Sequence, residues 1–265
     1  VLALVDPALG GRVEGVHDFR VAARSLRAAL RTLTRRPLAS RARRTRRYLH
    51  RAIRSLAAVR DRDVGRSSIA RLATRSAFDP ALKRRILGLS DSDRRVALIR
   101  SETRWPKLLD RELMTLLETG EASVETVIRR ARAEAWRQRR RALVLLRRLG
   151  RRYSPGLLHD LRRRIRSLRY AIEVLAEVDG GASARAMQLR PLQGALGDTQ
   201  DHIVMSRWLQ AEAKRFRGAE PALSGALRTL AVRFRAQSIR AHRSFLKLKP
   251  MLRLEGLALH VDPRG

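Results

Sequence analysis

Apolar residues recur at helical spacing along almost the whole chain. In "LHDLRRRIRSLRYAIEVL", Leu158, Leu161, Ile165, Leu168, Ile172 and Leu175 share one side at 100° per residue, while His159, Arg162, Arg166 and Arg169 share another. In "VHDFRVAARSLRAAL" and the three residues after it, Phe19, Leu26, Leu30 and Leu33 lie opposite His17, Arg20, Arg24, Arg27 and Arg31, which fall in a sector about 80° wide. Runs of alternating β-branched residues are absent, and Ala, Leu, Arg and Glu, all good helix formers, dominate. Asp79-Pro80, Ser154-Pro155 and Glu220-Pro221 place proline where a first helical turn begins, and Pro37, Gly88, Gly120, Gly150 and Gly180-Gly181 read as stops. The pattern predicts an all-α fold with helices near 14–36, 38–60, 62–75, 80–88, 91–102, 105–119, 123–150, 156–178, 183–196, 199–217 and 221–249.

Two of these helices are close copies. Shifting the first by 142 residues lays His17 on His159, Asp18 on Asp160, Arg20 on Arg162, and Arg24-Ser25-Leu26-Arg27 on Arg166-Ser167-Leu168-Arg169. A second match follows at a shift of 140, where Leu56, Asp61 and Val64 meet Leu196, Asp201 and Val204. Two separate matches at nearly one offset predict two related halves, 1–122 and 123–265.

Each copy pairs an apolar face with a basic ladder whose rungs rise about 5 Å per turn, a repeat suited to a linear anion. The bland alternative is a solvated helix face. Solvated faces, however, mix acids with bases, because i,i+4 pairs stabilise and like charges repel. The first ladder has no acid on its own stripe, and the pattern occurs twice. Glu173 stands one turn after Arg169 and can hold its guanidinium. Asp61, Asp63, Asp198 and Asp201 fit two roles equally, fixing ladder arginines from behind or capping helix N-termini. Asp18 and Asp160 fall off the stripe, where they can serve helix N-termini. Further basic candidates are Arg43, Arg47 and Arg54 on the second helix, and Arg132, Arg139, Arg140 and Arg147 on the long helix from 123. Arg228, Arg235, Arg243, Lys247 and Lys249 follow on the last.

Charge sharpens this picture. The 265 residues carry 59 Lys and Arg against 25 Asp and Glu, a net charge of +34. A compact body so charged repels itself and calls for a polyanion: nucleic acid, an anionic membrane surface or polyphosphate. Arginine makes up nearly all of the excess, which suits bidentate phosphate contacts and also follows from a GC-rich genome. The absence of cysteine excludes disulfides, iron–sulfur clusters and thiol catalysis within the chain. No apolar run approaches the roughly 18 residues of a membrane span, and "VLALV" is too short for a signal peptide. A cytoplasmic location is the expectation.

The motifs resemble the CHAD family, the conserved histidine α-helical domain, over nearly the whole chain from about Val13 to the last helix. The resemblance lies in His17, Arg20, Arg24 and Arg27, in Arg60-Asp61, in His159, Arg162, Arg166, Arg169, Tyr170 and Glu173, and in Asp201. It implies two helical bundles related by a pseudo-twofold axis, with a basic central channel lined by the repeated helices. It also implies inorganic polyphosphate as ligand and, for some members, location at polyphosphate granules. Arg166 stands where lysine is common in the family, keeping the charge on a bulkier fork.

Three functions compete on this sequence. A non-catalytic polyphosphate binder is the reading adopted, with ligand residues His17, Arg20, Arg24, Arg27, Arg31, Arg43, Arg47, Arg54, Arg139, Arg140, His159, Arg162, Arg166 and Arg169. Asp61, Glu173 and Asp201 are its supporting acids; no cofactor or metal is expected. A nucleic-acid binder fits the charge, but only 4% of residues are aromatic, too few for rows of stacking platforms, so weak nonspecific binding is expected. A phosphohydrolase or phosphotransferase wants carboxylates holding a divalent metal, and the ladders have almost none. The His-Asp dipeptide also occurs in metal phosphohydrolases, but His50, His202, His242 and His260 are scattered along the sequence. A histidine phospho-acceptor stays open.

Overall fold

Helices account for all the regular structure among the described residues of the computed structural model, which are 1–31, 38–74, 79–101, 105–118, 123–179, 183–257 and 259. After a helical turn at Leu2–Leu4 they are α1 (Val5–Leu9), α2 (Val13–Ala29), α3 (Leu38–Ser55), α4 (Ala57–Thr74), α5 (Pro80–Ser101) and α6 (Trp105–Glu118). Then come α7 (Val124–Leu149), α8 (Pro155–Asp179), α9 (Ser183–Arg215), α10 (Pro221–Lys247) and α11 (Pro250–Glu255). The all-α expectation is met. Element starts track the sequence repeat: Val13 of α2 and Pro155 of α8 are 142 residues apart, and Pro80 of α5 and Pro221 of α10 are 141 apart.

Three expected breaks differ. Gly88 does not stop a helix: α5 runs through it, because Ile86 and Ser90 on either side are buried. Their packing offsets the roughly 1 kcal/mol that an interior glycine costs. The expected gap near 197 is absent too, and α9 is one helix of 33 residues with Pro191 inside it. Leu189, Leu192 and Leu196 remain in the core, so burial carries the helix past the hydrogen bond that proline removes. The break expected near 61 falls at Leu56 instead. Asp61, Asp63, Asp198 and Asp201 therefore sit inside helices, and none of them is an N-cap. Asp18 and Asp160 lie beyond the first turn of α2 and α8, where helix-dipole stabilisation has faded. Pro37, Gly120 and Gly180-Gly181 lie outside the described residues.

The apolar faces form three cores. One joins α1, α2, α3 and α6 around Phe19, Leu30, Leu49, Leu56 and Leu109. A second joins α7, α8, the first part of α9, the end of α10 and α11 around Leu161, Ile165, Leu168, Leu189 and Phe245. The third crosses residue 122, packing Ile69 and Ile86 of α4 and α5 against Met205, Trp208, Leu209, Leu227, Leu230 and Phe234 of α9 and α10. Polar contacts tighten this third core. The Trp208 indole donates to Asp93 (2.9 Å), Arg62 stacks over its ring at 4.7 Å, and Arg85 pairs with Glu220 at 2.9 Å. Gly65 lets α4 approach α9 closely, since a Cβ there would overlap the Met205 sulfur. These contacts join α4 and α5 to α9 and α10.

Candidate functional site

The apolar stripes of α2 and α8 enter different cores, so their basic stripes turn toward one another. Between them lies a cavity of about 240 Å³ lined by Arg24 and Arg27 of α2, Arg31 just beyond its end, His50 and Arg54 of α3, and His159, Arg163, Arg166, Ser167 and Tyr170 of α8. Arg20 is buried behind this wall, where its Nη1 donates to the Ile53 carbonyl (2.7 Å).

The arginines are crowded. Burial, then the charge of Arg24 and more weakly Arg60 and Arg162, pushes Arg20 down to about 10. Burial, then Arg31, Arg46 and Arg24, does the same to Arg27. Arg166 is lowered by burial and by Arg24, Arg162 and Arg20, and Arg24 by burial and, among its charged neighbours, Arg162 and Arg60. A guanidinium keeps its proton through such shifts at neutral pH, so the site stores like-charge repulsion. Among the described residues, no ion pair involves Arg20, Arg24, Arg27, Arg162 or Arg166. The Nε groups of Arg20, Arg27, Arg162 and Arg169 are buried without an acceptor there. Buried donors without partners are costly, and an anion with many oxygens satisfies several at once.

The acids stand behind the ladders. Burial raises the pKa of Asp61 on α4 against the pull of Arg20, Arg62, Arg162 and Arg24. Burial likewise raises Asp201 on α9, against Arg162 and with repulsion from Asp61 and Asp198. These two carboxylates, equivalent in the sequence repeat, share Arg162. Asp63 instead pairs with Arg94 of α5, which also donates to the Gly11 carbonyl. Glu173 holds Arg169 at 3.3 Å, and that guanidinium lies 5.0 Å from the Tyr170 ring centre. The first ladder does have an acid, drawn from elsewhere: Glu134 of α7 accepts from Arg31 at 3.0 Å. Burial works against the Glu134 charge, but hydrogen bonds from Arg137 and Gln138 and the charge of Arg31 hold its pKa below the ordinary value.

The other expected residues fall in three places. Arg54 lines the central cavity. Arg43 and Arg47 line a neighbouring cavity of about 580 Å³ with Ser40, Arg44 and Arg46; it shares Arg27 and His50 with the first, so the two meet. Arg139 and Arg140 lie apart. Arg139 donates to the Leu254 and Glu255 carbonyls at 2.7 and 2.6 Å, holding α11, and Arg140 stacks 5.6 Å from the Trp136 ring centre. His17 is exposed and sits in the field of Arg60, outside the lining of the cavity. His159 lines it, its Nδ1 3.2 Å from Gln200 Oε1.

Sequence reasoning misses His50, Arg46 and Arg163. The signal for His50 is present, since it follows Arg43 and Arg47 and precedes Arg54 at helical spacing; its ring lies 3.3 Å from Arg27. Arg163 follows Arg162 directly, about 100° off the ladder, and only the approach of α2 brings it to the cavity. Among the described residues no three His, Asp or Glu side chains are grouped to hold a metal ion, and no helix is long and apolar enough to cross a membrane.

The model of the CHAD domain family matches residues 2–210. The chain belongs to the CHAD family. The match takes in both ladder helices and most of α9, but not the last helix, which the sequence resemblance includes. No curated protein matches the chain. Polyphosphate binding is the known role of CHAD domains, and a polyphosphate-related role follows for this one.

Protonation should tune a CHAD site of this kind. Burial, then Arg60, holds His17 below its ordinary value, despite Asp18; burial and Arg27, Arg54 and Arg163 do the same to His50. Both rings are neutral at pH 7 in the free protein. A bound polyanion offsets the arginine field and raises their pKa, so affinity should increase as pH falls through about 6.5. The free protein should respond oppositely, losing stability below about 6.5, because the folded state resists protonating these rings. Affinity measured from pH 8 to 5.5 should rise in the wild type and flatten in a His17→Gln, His50→Gln variant. A profile unchanged by the substitutions would place both rings away from the ligand.

Proposed function

We propose that this CHAD protein binds inorganic polyphosphate without breaking it, threading the chain between the basic stripes of α2 and α8. The observation that carries the reading is the meeting of Arg24 and Arg27 with Arg163 and Arg166 around one cavity, with unpaired Nε donors behind them. A row of phosphates supplies the missing negative charge at the spacing of helical turns, through charge-assisted hydrogen bonds. His159 adds a rung in the cavity and His17 one beyond its lining, and the cavity along α3 extends the path past Arg43 and Arg47. Arg20 and Arg162, in the field of Asp61 and Asp201, add to the positive charge behind the cavity. Two ladders acting on one chain gain effective concentration. The nearest carboxylates are set among arginines, which favours holding over hydrolysis. Such a protein would gather at polyphosphate granules in the cytoplasm.

A competition at about 0.15 M salt tests this. Labelled long-chain polyphosphate should stay bound against excess RNA and duplex DNA, and single phosphate should not displace it. Equal displacement by nucleic acid would mean that the +34 charge acts without a shaped site.

A further inference from the structure

Another basic cleft lies on α7 and α8, with a lining distinct from that of the ladder cavity. Its volume is about 520 Å³, and it is lined by Trp136, Arg137, Arg140, Arg141, Val144, Leu145, Asp160 and Arg164. None of these residues lines the central cavity. Trp136 is 41% exposed and Val144 46%, whereas Trp208 is buried in the third core. An indole left half in water on a helix with so many arginines stands out from the rest of this surface.

The polar groups around the indole are unevenly matched. Arg140 stacks on one part of it, 5.6 Å from the ring centre. Arg137 is held by Glu134. Arg141 and Arg164 come from different helices and repel: burial, then Arg141 and Arg163, lowers the pKa of Arg164, with only Asp160 opposing. The Arg164 link to Gln138 is long, at 3.5 Å. Asp160 is half exposed and only loosely paired with Arg163 at 3.8 Å. The cleft thus offers a flat aromatic face, a converging pair of guanidinium groups and one carboxylate that can only accept.

We infer that this cleft binds a free nucleoside triphosphate, with the base on Trp136 and the phosphates on Arg141 and Arg164. The volume suits one small ligand. A single indole gives one stacking platform, whereas a strand requires a succession of them. Arg140 over the Trp136 ring adds a cation to the same aromatic site and so attraction for an electron-rich base. Asp160 can accept from an amino group of the base or a ribose hydroxyl. This inference does not depend on the proposed function, because neither ladder contributes to the cleft.

Calorimetry with ATP, and with tripolyphosphate as the ligand lacking a base, tests it at about 0.15 M salt. Trp136→Ala should weaken ATP at least about five-fold, the low end of what removing one stacked aromatic does. Trp136→Phe should restore most of the loss, and tripolyphosphate should bind the wild type and both variants alike. An Arg24→Met, Arg166→Met variant should keep its ATP affinity, which separates this cleft from the ladders. ATP affinity indifferent to Trp136→Ala, or lost in the ladder variant, would overturn the inference. So would a short oligoadenylate that binds more tightly than ATP through Trp136, since the occupant would then be a strand.

Discussion

Replacing Arg24 and Arg166 with methionine is expected to lower polyphosphate affinity by about 10²–10⁴-fold while leaving the free protein as stable as before or more so. The two side chains line the same cavity, one from each ladder, and after burial the charge of Arg24 lowers the proton affinity of Arg166. A charge-assisted hydrogen bond contributes about 1.5–3 kcal/mol, so losing two costs the stated factor. The salt dependence should weaken as well, by about 0.7 in the log–log slope for each lost phosphate contact. Stability moves the other way, because crowded, half-buried like charges give way to apolar chains of similar length. Thermal unfolding without ligand reads the second effect and a binding titration the first. A folded variant with unchanged affinity would end the reading of α2 and α8 as the polyphosphate site. A variant that unfolds early would make these arginines structural.

Trp208→Ala is expected to remove about 3–5 kcal/mol of stability, the range for emptying a large aromatic site. At this chain length that is a fall of about 10 °C in the midpoint. The indole fills the third core, donates to Asp93 and lies under Arg62, so one substitution loosens α4 and α5 from α9 and α10 together. Trp208→Phe keeps most of the packing and loses only the hydrogen bond, a cost of about 1 kcal/mol. Asp61 on α4 and Asp201 on α9, which both act on Arg162, stand on helices that this core packs together, so polyphosphate affinity should fall in the alanine variant although no ligand residue has changed. Saturating polyphosphate should then recover part of the midpoint, since ligand stabilises the state that binds it. Urea unfolding followed by circular dichroism measures the loss. A midpoint shift equivalent to less than about 1 kcal/mol would mean that α4 and α5 are held to α9 and α10 elsewhere.

Much of the site is legible in the amino-acid sequence. Arg20, Arg24 and Arg27, and their counterparts Arg162, Arg166 and Arg169, lie on regular stripes of the two repeated helices, and periodicity alone separates them from the apolar faces. Glu173 is within reach of Arg169 by the rule that residues four apart on a helix are neighbours, and the pair forms. Periodicity makes Arg31 a rung like the others, yet Glu134, 103 residues away, takes one of its donors. The basic pattern of α7 makes Arg139 a ligand candidate, and it holds the carbonyls at the end of α11 instead. No local pattern reveals either partner, because each belongs to another helix.

Sequence alone dictates the helices, their apolar and basic faces and the duplicated ladder, since these depend on residues three and four apart in one segment. The CHAD family match spans the segments that carry these motifs. What those segments meet is a matter of tertiary packing: which ladder arginines crowd one cavity, that His50 and Arg163 join them, and that Asp61 and Asp201 share Arg162. Packing also carries α5 on through Gly88 and α9 past Pro191, because burial of their neighbours outweighs the local preference to stop. Pairings between distant segments depend on how whole apolar faces pack, and helical periodicity contains no information about that.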